Sequence, residues 1–358
     1  MAPKARIAMY SVCDSGVCPE ADIIAAVDAA VKDGVDILSM SLGPKVQPPL
    51  PFHSDSIAIA TFGAVRAGVF VALAGGNDGP KESTVENVAP WMTTVGAASV
   101  DRLFPGNLHL GDGTVLQGQS LYAMKATRMS PLVYSPCDDD NKKYLLRHKM
   151  NGKIAAKQVK RWVQVFNPPL PSLTLSFTGA EKLRAYMASS PYPVASFAFT
   201  GHPIIGERRA PMVTGFSSRG PNAVVPELLK PDVISPGLNI LAAWTGSGDD
   251  IPLYKKNHNY RFLSGTSMAT PHVAGIAALI KKKHPSWTPA MIRSALMTIA
   301  RTLDNMERDI LDDGFRVATP FAAGAGHVHP QLAMDPGLVY DAGARDYVDG
   351  GEPTSEEC

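Results

Sequence analysis

Four cysteines in 358 residues are too few to staple a chain of this length, so a disulfide scaffold is excluded and a hydrophobic core must hold the fold. Only Cys13 and Cys18 stand close in sequence, and on their own they read either as a pair or as two ordinary thiols. No apolar run approaches the ~18 residues needed to cross a bilayer. The opening "MAPKARIAMYSVC" lacks the basic flank, apolar stretch and small-residue site of an export signal. An excess of either charge is missing too: 34 Lys and Arg stand against 33 Asp and Glu, a formal charge of +1, so neither nucleic acid nor a membrane surface is expected as a partner. There is no internal repeat and no low-complexity tract. What is present is 45% hydrophobic residues, a supply sufficient for one large domain or two ordinary ones.

Over the first hundred residues short apolar runs alternate with amphipathic ones, the pattern of a parallel sheet with crossover helices. "ARIAMYSV" reads as a strand. "ADIIAAVDAAVKDG" places Ile23, Ile24, Val27, Ala30 and Val31 on one helical face, with Gly34 set to end the helix in a left-handed turn. "VDILSMSLG", a helix over "DSIAIATFGAVRAG" and the strand "VFVALAGG" complete a βαβαβ unit, and in such sheets ligands gather beyond the carboxyl ends of the strands. Two of those ends carry unusual loops, "MSLGP" and "AGGNDGP". From about 120 to 200 the chain turns charged and Pro-interrupted and reads as an inserted module, whose basic stretch Lys142 to Arg161 is a solvated face. Regular α/β texture resumes with "KPDVISPGLNILAAW" and two helices, the second opened by Thr288 as cap and Pro289 at its first position.

"GTSMATPHVAG" sets Ser267 between a tight glycine turn and a helix start. There a serine either caps the helix or sits among unpaired N–H groups and the positive end of the helix dipole, which favour an oxyanion forming beside it. The segment "SGTSMATPHVAG" resembles, residue for residue, the nucleophile segment of the subtilisin-like serine peptidases. The resemblance implies that Ser267 attacks a peptide carbonyl. "AGGNDGP" resembles that family's oxyanion-hole loop, which gives the donor role to Asn77 beside Gly75 and Gly76. "SMSLGP" resembles the edge on which substrate backbone pairs, so Ser41, Leu42 and Gly43 would border the pocket for the residue preceding the cleaved bond. "APMVTGFSSRGPN", "KPDVISPGLNILAAW" and "GAGHVHPQLAMDPGLVYD" are similar to the framework of the plant branch, with His329 where that branch usually has Asn. The resemblance covers roughly 1–120 and 200–345.

The implied fold is α/β: a subtilisin-like parallel sheet with helices on both faces, incomplete at the N-terminus, with a shortened β-rich protease-associated insert. The expected division is 1–119 and 201–345 as the two parts of a catalytic domain, 120–200 as the insert and 346–358 as a tail. Implied partners are peptide or protein substrates, with no metal and no cofactor. The plant branch is secreted, which points to the apoplast or the vacuole, and it places a cysteine pair where Cys13 and Cys18 stand, implying a disulfide.

A serine hydroxyl needs a base, and the base a third group to orient it. In the family these lie in an Asp-Thr/Ser-Gly strand end and a His-Gly-Thr-His helix start. Neither motif occurs in the sequence, whose Met1-Ala2-Pro3 aligns just past the histidine segment. His272 is five residues on, about 140° around the helix and ~7.5 Å along it, out of reach of Ser267. His53, His109 and His202 lie where the family has no catalytic residue. An α/β-hydrolase elbow with His327 or His329 as base would leave the Asn77 loop unexplained. The expectation is therefore a subtilisin-like serine endopeptidase by resemblance, catalytically incomplete, with a non-catalytic binder of extended peptides as the alternative.

Overall fold

In the computed structural model the described residues are 2–14, 16–43, 49–122, 126–134, 154–156, 172–244 and 259–349. The charged stretch Lys142 to Arg161 falls almost wholly outside them. In chain order the main elements begin with α1 (Glu20–Lys32), β1 (Ile37–Met40), α2 (Ser56–Arg66), β2 (Phe70–Ala74) and β3 (Thr93–Ala98). Next come β4 (Pro105–Leu110), β5 (Val115–Gln119), β6 (Ser130–Tyr134), β7 (Ile154–Ala156), β8 (Thr174–Leu175), α3 (Phe177–Ser189) and β9 (Val194–Phe199). They are followed by β10 (Val233–Pro236), β11 (Ile240–Ala243), β12 (Tyr260–Leu263), α4 (Thr266–Lys283) and α5 (Pro289–Thr298).

Two compact units emerge: 1–100 with 210–238 and 264–358, and 101–209 with 239–263. The first is built on a four-stranded sheet in the order β1-β2-β3-β10, parallel throughout, with Ile37 opposite Phe70 and Met40 opposite Leu73. Strands buried on both faces need apolar residues at every position, and β2 is buried along its whole length. Its side chains alternate between two cores. Phe70 and Ala72 join Val95, Val233 and the α4 residues Ala269, Val273, Ile276 and Ile280 on one face. Val71 and Leu73 join Ile23, Val27 and Ala30 of α1 and Ile57, Ala60 and Ala64 of α2 on the other. The sheet thus carries helices on both faces, as the sequence implied.

α1 buries Ile23, Val27 and Ala30 and ends where Gly34 turns at φ 77°. α2 is capped by Asp55, whose carboxylate accepts from Ile57 N at 2.9 Å and Ala58 N at 3.2 Å. One expectation fails: residues 5–12 form no strand. Ile7 and Met9 are 84% and 87% exposed, because this stretch has no neighbouring strand among the described residues to complete a ladder. Its far end does attach, with Tyr10 and Val12 packing on the α1–α2 core and the Tyr10 hydroxyl donating to Asp33 at 2.6 Å. Cys13 and Cys18 are joined by a disulfide across a tight hairpin in which Asp14 and Val17 exchange backbone hydrogen bonds.

The second unit carries a six-stranded sheet in the order β7-β6-β9-β4-β5-β8, antiparallel except where β6 meets β7. Leu108, Leu110, Leu116, Ala195 and Phe197 form its core with Leu183 and Tyr186 of α3. β4 and β5 belong to this unit, whereas the change of texture in the sequence begins only at about 120.

Candidate active site

Within the first unit, the carboxyl ends of β1 and β2 run straight into the two loops singled out from the sequence: Ser41, Leu42 and Gly43 follow β1, and Gly75, Gly76 and Asn77 follow β2. α4 starts beside them. Its cap is Gly265, whose N–H donates to Gly237 O at 2.9 Å, and Ser267 is the second helical residue. A Cβ on Gly237 would meet Ala97 Cβ at 2.6 Å and Gly265 O at 2.8 Å, so the close approach of the β10 end to this turn requires glycine there.

Asn77 is tied directly to the helix start. Its Oδ1 accepts from Thr266 N at 2.9 Å and from the Thr266 hydroxyl at 3.2 Å. A backbone N–H can only donate, so the amide orientation is fixed and Nδ2 remains as the donor of the Asn77 side chain, which is thereby tied to the residue preceding Ser267. Gly76, at φ 95°, lets the loop turn, and a Cβ there would meet Ser218 Oγ at 2.8 Å. Ser41 is joined to the same helix by a different route. Pro271 sits inside α4 and has no N–H to give to the carbonyl of Ser267, four residues earlier. The Ser41 hydroxyl donates to that carbonyl instead, at 3.1 Å. The signal for this link was present in the sequence, as a proline one turn after the serine.

Leu42 and Gly43 lie between this link and Asn87, a buried residue at φ 55° whose Nδ2 donates to both Leu42 O and Ala74 O at 2.8 Å. Asn87 therefore ties the two strand ends together. Its neighbour Glu86 had not been singled out, and its side chain lies against both Gly43 and Gly76. The structure thus gathers Ser41, Leu42, Gly43, Gly75, Gly76, Asn77 and Ser267 at one end of the sheet.

No side chain among the described residues hydrogen-bonds the Ser267 hydroxyl. His272 Nδ1 lies 2.8 Å from Met268 O, which makes Nδ1 the protonated nitrogen and turns the ring back along its own helix. His327 contacts Val328 O through Nδ1 at 3.0 Å. Burial lowers its pKa to about 4, the backbone contact with Val328 opposes this, and His272 and His329 push the same way as burial. His329 caps the short helix Pro330–Ala333, its Nδ1 accepting from Leu332 N at 3.2 Å. His53 stands exposed in the turn before α2, and His109 and His202 belong to the second unit. Among the described residues no group of three or more His, Cys, Asp or Glu side chains could hold a metal, and no helix is long and apolar enough to cross a membrane.

The Subtilase family matches residues 1–326. The chain is 43% identical to the subtilisin-like protease SBT1.5 of Arabidopsis thaliana over 97% of its own length and 51% of that relative's. It is 42% identical to SBT1.6 of the same plant over 97% of its length and 51% of the relative. It thus spans about half the length of these relatives. Among solved structures it is similar to Sphericase, with TM-score 0.47, 20% identity and coverage of 89% of this chain and 66% of the other. It is also similar to the prenylagaramide maturation protease PagA, with TM-score 0.44, 17% identity and coverage of 91% and 70%.

Proposed function

Because the chain belongs to the subtilase family, we propose that it carries the nucleophile and oxyanion half of a serine endopeptidase site, with Ser267 as nucleophile and Asn77 as oxyanion donor. The observation that supports this reading is the pair of hydrogen bonds from Thr266 to Asn77 Oδ1, which joins the asparagine side chain to the residue preceding Ser267 at the start of α4. A tetrahedral oxyanion formed at Ser267 would be met by that amide and by the positive end of α4. Acyl transfer would break the peptide C–N bond, form an ester at Ser267 and release it to water. Both proton transfers need a base; none is hydrogen-bonded to Ser267 among the described residues, which supports the reading that the chain by itself is catalytically incomplete.

A peptide or protein substrate would lie along Ser41, Leu42 and Gly43, and an extracellular or vacuolar setting belongs to the same proposal. So does the division into a two-part catalytic domain (1–119 and 201–345), a shortened protease-associated insert (120–200) and a tail (346–358). The second reading, a non-catalytic binder of extended peptides, is favoured by the outer edge of β1, which among the described residues pairs with β2 alone.

The test is to supply an Asp- and His-bearing upstream segment of a related subtilisin-like protease in cis and to follow peptide hydrolysis. The proposal expects turnover that vanishes in Ser267→Ala and falls by roughly 10²–10³ in Asn77→Ala. Turnover indifferent to both substitutions overturns it.

A further inference from the structure

We propose that a cavity in the second unit binds an aromatic ring that carries a carboxylate on a short arm. The inference is independent of Ser267 and of the peptidase reading, since every residue lining the cavity lies in the second unit. The cavity has a volume of about 200 Å³ and opens where the entry to β4 meets the exits of β5 and β9. A cavity of about 150 Å³ already accepts benzene. This one has room for a ring and a carboxylate together.

Its walls call for an aromatic guest. Phe104, just before β4, and Phe262 of β12 meet edge to face, their centroids 5.2 Å apart and their planes at 76°. Tyr122, after β5, completes the aromatic lining and packs on Phe199 at 5.1 Å. A flat ring against such surfaces gains edge and face contacts that an aliphatic group of the same volume does not. His202, exposed, marks the rim.

The sign of the guest's charge follows from Arg102. Its guanidinium carbon stands 5.5 Å from the Phe104 centroid and 5.4 Å from that of Phe262. Arg102 does not line the cavity, so it touches these rings from outside. Its Nη2 donates to Asn239 O at 2.6 Å, while its Nε is buried without an acceptor. No carboxylate among the described residues pairs with it or lines the cavity. A cation behind the rings opposes a second cation on them and attracts an anion through their low-dielectric wall. Ser120 supplies the directional contact. It is only 8% exposed, and its Oγ accepts from Tyr122 N at 2.9 Å, which leaves the hydroxyl proton for an acceptor in the cavity. A carboxylate oxygen there satisfies a buried donor that has no acceptor among the described residues.

The experiment uses the full chain and fluorine NMR of three probes: para-fluorophenylacetate, its amide, and para-fluorophenethylammonium. The acid is expected to bind at least about tenfold tighter than the amide, and the ammonium not to bind at about 10 mM. Unlabelled phenylacetate is expected to displace the acid at least about fivefold better than cyclohexylacetate does. Arg102→Met, which keeps an apolar arm on the two rings, is expected to bring acid and amide together. Equal binding of acid and amide by the unmodified chain overturns the proposal, as does equal displacement by the two unlabelled acids, and neither comparison needs a variant to fold. Acid preference that survives in a folded Arg102→Met chain also overturns it, and so does absence of binding by the acid at about 10 mM. The tripeptide Ala-Ala-Phe separates the two sources of this chemistry. Displacement by it supports a cavity for the C-terminal residue of a peptide, and displacement by phenylacetate alone supports a cavity for a free aromatic acid.

Discussion

His327 shows how one half-buried residue makes acid a lever on stability. Its pKa is about 4 in the folded chain and near 6.5 when the chain is open, so between those values the unfolded state holds the extra proton. The contribution to stability is full above about pH 6.5 and is lost as the pH falls toward 4, by up to about 3 kcal/mol. A melting temperature that drops across this window, and drops less in His327→Asn, is the expected result. Lys230 is a second such case. It is fully buried, with Nζ donating to Asp232 Oδ2 at 2.6 Å and to Met92 O at 2.8 Å, while Asp232 also accepts from Thr94 N at 2.6 Å. Asp232→Asn leaves a buried ammonium without its charge partner, and urea melts should show a loss of roughly 3–5 kcal/mol. Neither role could be read from the sequence: "KPDVIS" passed for the entry to an apolar strand, and nothing in the letters says that the lysine turns inward. Glu86 escaped notice for the same reason, since only the folded loops bring it between Gly43 and Gly76.

At the scale of elements, periodicity located α1, α2, β1 and β2, and the capping pair Thr288–Pro289 located the start of α5, because each signal is local. The face of α1 follows from helical spacing and the cap of α5 from Thr288, whose hydroxyl accepts from Met291 N. The strand expected at 5–12 is the instructive failure. Its alternation is real, but a strand exists only as a partner in a ladder, and a single segment cannot report whether the partner is there. The disulfide is the opposite case: Gly16, at φ 83°, turns the backbone back so that Cys13 and Cys18 meet. Closing a loop this short restricts the unfolded chain modestly, so Cys13→Ser with Cys18→Ser is expected to cost about 2 kcal/mol. Equilibrium melts of the double variant against the parent in oxidising buffer check this.

At the scale of the whole molecule, a β1 edge left unpaired among the described residues and the exposed Ile7 and Met9 are features that invite association. Light scattering at micromolar concentration is expected to show oligomers that Ile7→Lys with Met9→Lys diminishes. The central claim is that Ser267 stands in a prepared oxyanion site without a base to activate it. A fluorophosphonate probe tests this most directly, because it reacts with an activated hydroxyl and not with a serine as such. The chain alone should show no labelling above that of Ser267→Ala, since loss of the base costs about 10⁶ in turnover in such enzymes. Fusion to an upstream Asp- and His-bearing segment should restore labelling at Ser267. Labelling of the unfused chain at Ser267 as fast as in an intact family enzyme would mean that it already holds a base, and would contradict the account.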